Sequence, residues 1–190
     1  ERLHPGQIRH IPRVLYHWRA IKGSTALDHS EKSYASTAGR QAIVDHLHRT
    51  HQHAEVLPVP ELPFLNRVRY PLPQGVRVSM LIALDAPAAR VADLVAAMWR
   101  SRGDVELEFI VCLSGHATAE QLLAGLAPEE PVRVELIHAQ PGLPLSERVN
   151  AALPLAQGQF VGVCTVLFDR FSDAWLEELV RLAAQERVGF

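Results

Sequence analysis

Residues 158–180 read Gly-Gln-Phe-Val-Gly-Val-Cys-Thr-Val-Leu-Phe-Asp-Arg-Phe-Ser-Asp-Ala-Trp-Leu-Glu-Glu-Leu-Val. From Phe160 to Leu167 the run is almost unbroken apolar, long enough for one buried strand and short for a helix. Ser172 or Asp173 is placed to cap the helix that follows. In that helix Trp175, Leu176, Leu179, Val180 and Ala183 fall on one stripe, so Glu177, Glu178 and Arg181 are expected to face solvent. A buried strand, a short polar loop and a helix make half of a βαβ unit. Ligands of open α/β sheets bind outside the carboxyl ends of the strands. Function is therefore expected near residues 165–169.

The same alternation runs back to residue 76. Strands are expected at 76–84, 105–113 and 132–138, and helices at 88–102, 118–126 and 145–156. Thr118 and Gln121 have the spacing of a capping box. Pro154 predicts a kink or early end to the third helix, and Gly158 suits the position after it. The expected fold is α/β, a Rossmann-like parallel sheet with helices on both faces.

Residues 56–73 contain Pro58, Pro60, Pro63, Pro71 and Pro73, the density of a linker or of an extended strand pair. Residues 66–73 alternate apolar and basic side chains, as a half-exposed strand does. The boundary of the sheet domain is expected near Gln74-Gly75. Before the linker, 33–48 reads as a helix with Tyr34, Ala38, Ala42 or Ile43, and Leu47 on its apolar face. Residues 10–19, His-Ile-Pro-Arg-Val-Leu-Tyr-His-Trp-Arg, favour β structure, with Pro12 at an edge or a strand start. His46, His48, His51 and His53 lack metal-ligand spacing on a helix and read as a solvated helix end.

The net charge of −2 lacks the basic excess of a nucleic-acid binder. No run reaches the length of a membrane-spanning helix. Two cysteines, Cys112 and Cys164, both in apolar runs, read as buried small hydrophobes in a reducing compartment. Dinucleotide-binding, P-loop and nucleophile-elbow motifs are missing. Asp104, Glu106 and Glu108 are expected on the solvent face of their strand, and Ser146 reads as a helix-capping residue rather than a nucleophile. The chain opens at Glu1 and ends on Val188-Gly189-Phe190, which has the look of another strand starting; a piece of a longer protein is expected.

The order Gly-x-Phe-Val, apolar strand, loop, Asp-x-Trp-Leu-Glu-Glu-Leu resembles the middle of family 2 glycosyltransferases of the GT-A fold. Val78-Ser79-Met80-Leu81-Ile82 resembles that family's first strand, and Tyr16-His17-Trp18-Arg19 followed by Gly23-Ser24-Thr25 resembles its last motif. The resemblance implies three parts: residues 1–55 as the tail of a preceding glycosyltransferase domain, 56–75 as a linker and 76–190 as the first half of a second GT-A domain. It implies donor-binding roles for Asp85, Ser114, Asn150 and Arg19, and a metal role for His17 and Asp169. The plain reading of His17 and Trp18 is packing on an edge strand.

In the family an Asp-x-Asp element at the end of the fourth strand holds Mg²⁺ or Mn²⁺ against the donor diphosphate, because hard dications take oxygen ligands. Here those positions are Thr165, Val166 and Leu167, and Leu113 replaces the acid expected to hold the nucleoside. The parent protein is thus expected to transfer a sugar from a nucleotide diphosphate to a glycan acceptor in bacterial surface polysaccharide synthesis. It would act in the cytoplasm or at the inner face of the membrane, with this unit packed against neighbouring domains. Residues 76–190 are expected to bind no metal and to be inactive. The alternative is a non-catalytic GT-A-like module that positions glycan or holds a partner domain.

Overall fold

The computed structural model describes residues 3–17, 33–62, 65–127 and 130–186. Its contacts divide the chain into two units, Glu1–Val68 and Arg69–Phe190.

In the first unit α1 (Ser33–Arg49) precedes β1 (Glu55–Pro58), which pairs with β2 (Asn66–Arg69). The strand pair occupies the proline-rich stretch. His46, His48 and Arg49 close α1, where positive charge suits the carbonyl end of a helix. Leu47 is its buried anchor. The β-favouring stretch that begins at His10 forms no strand as far as Tyr16 and His17, the last residues described there. Ile11, Val14, Leu15 and Tyr16 stand exposed. β preference is realised only against a pairing neighbour, and no described strand pairs with this segment.

The second unit is a sheet in the order β5-β4-β3-β6. Its strands are β3 (Arg77–Ala83), β4 (Glu106–Ser114), β5 (Arg133–Ala139) and β6 (Phe160–Cys164). All three pairings are parallel. The helices are α2 (Ala88–Arg100), α3 (Ala119–Leu123), α4 (Leu145–Ala152) and α5 (Trp175–Ala183). The capping box at Thr118 and Gln121 is present. A 3-10 turn at Leu153–Leu155 follows α4, where Pro154 cannot continue it.

Period-two alternation splits the core in two. Val78, Met80 and Ile82 of β3 join Leu107, Phe109 and Val111 of β4, Val91, Leu94, Val95 and Met98 of α2, Leu122 of α3, and Leu176 and Val180 of α5. On the opposite face Leu81 and Ile110 meet Ala152, with Val149, Ala156 and Ile137 around them. The sheet therefore lies between α2, α3 and α5 on one side and α4 on the other.

Four sequence expectations are corrected. First, the apolar run does not form a strand buried on both faces. β6 ends at Cys164 and is an edge among the described strands, with Val161 and Val163 exposed. Second, Glu108 points inward at 3% exposure. Its carboxylate accepts from Ser79 Oγ, from the Gln157 N–H (2.7 Å) and from Arg133 Nη1 (2.7 Å). Burial opposes its charge, yet these three partners together hold its pKa below the usual carboxylate value.

Third, α5 buries Glu177, half-buries Arg181 and exposes Leu179 and Leu182. Glu177 accepts from the Asp104 N–H (2.8 Å) and pairs with Arg181, which also donates to the Tyr70 carbonyl. The two charges satisfy each other and nearby backbone, which offsets their desolvation. Neither Ser172 nor Asp173 caps the helix: Ala174 stands at its N-cap with φ 54° and no side-chain bond. Fourth, Gly158 is required by close approach rather than by a helix end. A Cβ there would lie 2.7 Å from Ser79 N and 2.8 Å from Arg77 O.

Candidate functional site

The carboxyl ends of β3, β4 and β6 carry the residues with chemistry. β3 ends at Ala83, and Asp85 follows in the turn before α2. β4 ends on Ser114, whose hydroxyl donates to Asp85 Oδ1 at 2.7 Å. Arg148 of α4 donates from Nη1 to Oδ1 and from Nη2 to Oδ2, both at 2.8 Å, and its Nε–H is fixed on the Leu143 carbonyl. This bidentate fork is the strong form of a charge-assisted bond. The Arg148 bonds first, and then the Ser114 hydroxyl, hold the Asp85 carboxyl below its usual pKa against a smaller opposing desolvation. Arg148 is 5% exposed and Asp85 58%. A buried cation thus presents an oriented carboxylate to solvent. Two of the four lone-pair sites of that carboxylate are taken on Oδ1 and one on Oδ2. One acceptor position is left for a hydroxyl or N–H.

The structure brings together Asp85 and Ser114, two of the sequence candidates. Asn150 is exposed on α4, about 200° around the helix from Arg148. Arg19 lies outside the described residues. His17 is exposed at the end of a described segment of the first unit. Asp169 is paired with Arg90 of α2 at 3.3 Å. Among the described residues no group of three or more His, Cys, Asp or Glu could hold a metal ion.

Leu113 does not line the end of the sheet. It is 1% exposed and belongs to the core beneath α2, because Ser114 takes the opposite side of the strand. Leu113 is thus a packing residue, and the acceptors at this end are Ser114 and Asp85. Arg148 escaped sequence reading. The available signal was its spacing of four from Ala152, which puts it on the inward face of α4.

After β6, Thr165, Val166, Leu167 and Phe168 are all exposed. Leu167, Phe168 and Asp169 line a cleft of about 390 Å³ with Arg90 and Asp93 of α2. Phe168 meets Phe171 edge-on at 5.6 Å, and Phe171 lies tilted by 36° against Trp175 at 4.9 Å. A larger cleft, about 550 Å³, lies at the amino end and includes Arg77, Trp99, Arg102 and Arg133. Its charges are spent internally: Arg77 on Glu106, Arg133 on Glu108 and Glu135, and Arg102 over the Trp99 ring. Cys112 and Cys164 are buried, and desolvation raises both thiols, so neither is a ready thiolate.

No family model matches the chain, and no solved structure matches it. Across its whole length the chain is 30% identical to an uncharacterized protein, y4gI, of Sinorhizobium fredii. The match covers 21% of that protein, so the chain spans about a fifth of the length of this relative.

Proposed function

We propose that the chain is part of a family 2-like glycosyltransferase of bacterial surface polysaccharide synthesis, and that its sheet unit is a GT-A-like module that does not load a nucleotide-diphosphate donor through a metal. The sheet order supports the family reading, since β3 lies between β4 and β6 as the first strand of such a domain would. The observation that carries the loss of donor loading is the composition of the loop after β6. A dication bridging a diphosphate needs carboxylate oxygens there. The loop presents Thr165, Val166 and Leu167, and the acid nearest to them in the chain, Asp169, is engaged by Arg90. These residues do not fit Mg²⁺ or Mn²⁺. The parent's transfer of a sugar from a nucleotide diphosphate to a glycan hydroxyl would then depend on residues elsewhere in the longer protein.

The test is isothermal titration of the chain with uridine and deoxythymidine diphosphate, with and without Mn²⁺. The expected result is no Mn²⁺-dependent binding. Micromolar binding that requires Mn²⁺ and disappears in Asp169→Asn would overturn the reading and make Asp169 the substitute ligand.

A further inference from the structure

We propose that residues 3–16 are a docking surface for an anionic lipid bilayer, lying on the membrane rather than crossing it. This goes beyond the transferase reading and does not depend on it. Exposure is the first observation. Leu3, Ile8, Ile11, Val14, Leu15 and Tyr16 are between 59% and 79% exposed. Val14, Leu15 and Tyr16 form a run of three, and such a run of exposed apolar side chains marks a contact surface. The segment's backbone bonds among the described residues are local. The Gln7 N–H donates to the His4 carbonyl at 2.8 Å, closing the 3-10 turn at Pro5–Gln7, and the Arg13 N–H donates to the Ile11 carbonyl at 2.8 Å.

Charge is the second. Residues 2–27 hold five of the chain's 19 Lys and Arg and none of its 21 Asp and Glu, so the remaining residues are net acidic. Arg9 and Arg13 lie in the exposed segment. Anionic headgroups attract a cluster of this kind, while the rest of the chain is repelled. The interleaving of the two residue types decides between partners. Arg9 and His10 stand between Ile8 and Ile11, and Arg13 precedes Val14. A protein partner would have to set carboxylates against both arginines and apolar pockets between them in fixed register. A segment with one 3-10 turn as its regular structure holds no such register. A nucleic acid would take the arginines and leave the aliphatic side chains in water. A bilayer interface takes both: guanidinium groups stay among the headgroups, aliphatic side chains enter beneath them, and a tyrosine ring suits the boundary. The arginines also hold the segment at the surface, since a charge at the bilayer centre is costly.

The test is flotation of the intact chain with lipid vesicles through a density gradient, which separates vesicle-bound chain from aggregate. The vesicles are phosphatidylcholine alone or an equal mixture with phosphatidylglycerol, at low and high salt. Poly(U) is titrated separately, as a polyanion with no apolar phase. Two double variants are compared with the wild type: Arg9→Gln with Arg13→Gln, and Val14→Ser with Leu15→Ser. All four positions are exposed, and far-ultraviolet circular dichroism checks that the variants fold. The chain is expected to float with the anionic vesicles and not with the neutral ones, and less at high salt. The glutamine pair should weaken partitioning roughly 30-fold and the serine pair at least about tenfold. No flotation with anionic vesicles, equal flotation with neutral ones, or flotation that either double variant leaves unchanged overturns the proposal. Poly(U) binding as tight as vesicle binding, with the serine pair without effect on either, overturns it in favour of a nucleic acid.

Discussion

Glu108 shows how much a single residue can hide from sequence. It alternates with apolar neighbours along β4, and an inward and an outward carboxylate give the same alternation. Only the return of the chain at Gln157 and the opposing Ser79 and Arg133 make burial affordable. We expect Glu108→Gln to cost about 1–3 kcal/mol at pH 7, because an amide cannot satisfy the Arg133 guanidinium and the Ser79 and Gln157 donors together. The pH dependence follows from the depressed pKa. The folded state binds the proton less tightly than the unfolded chain, so this stabilisation is complete above the ordinary value of 4.5. It is lost as pH falls through the lower, folded value. Urea midpoints should therefore separate variant from wild type at pH 7 and converge at acid pH. Glu177 and Asp85 are lowered in the same direction, so the variant keeps part of the acid sensitivity. An equal gap at both pH values would remove Glu108 from this role. At the site, the meeting of Asp85 and Ser114 was legible, because Ser114 ends β4 and Asp85 follows two residues after β3. Arg148 was not, since a cation on an amphipathic helix is ordinarily assigned to water.

At the scale of elements, the strand–helix alternation and the parallel sheet were legible, because the near-continuous apolar strands β3 and β4 bury both faces and leave few other arrangements. The rotation of α5 was not. Its apolar stripe pointed to Leu179 as buried, whereas the helix turns Glu177 toward the Asp104 amide. Gly103 permits that approach: with φ +73°, a Cβ there would collide with the Glu177 carboxylate. The helix also begins from a left-handed alanine, Ala174. An L-residue in that region costs about 1–2 kcal/mol, and glycine's extra chain entropy costs about 0.5–1 kcal/mol. Ala174→Gly should therefore raise stability by up to about 1.5 kcal/mol, read as a higher melting temperature. A lower one would mean that the alanine methyl makes a contact worth more than the strain.

At the scale of the molecule, the described sheet leaves β6 with an open edge and no charged or proline residue between Phe160 and Cys164. Val161 and Val163 are exposed on that strand, and Leu179 and Leu182 on α5. Such an edge pairs readily with other chains. The chain should associate as its concentration rises in sedimentation, and Val163→Lys should reduce that association without changing the melting temperature by more than a few degrees. Association unchanged by the lysine would place the contact elsewhere. The entry to that same edge strand has a different character. The Gln157 and Gly158 amides belong to a connecting loop, yet both are clasped by Ser79 Oγ, and Gln157 also by Glu108. The two bonds to Ser79 span 78 and 79 residues of chain to β3, so they cannot open while that loop stays closed on the sheet. In deuterated solvent the two loop protons should persist as long as those of β3 itself, marking the point where the late part of the polypeptide is locked to the early part.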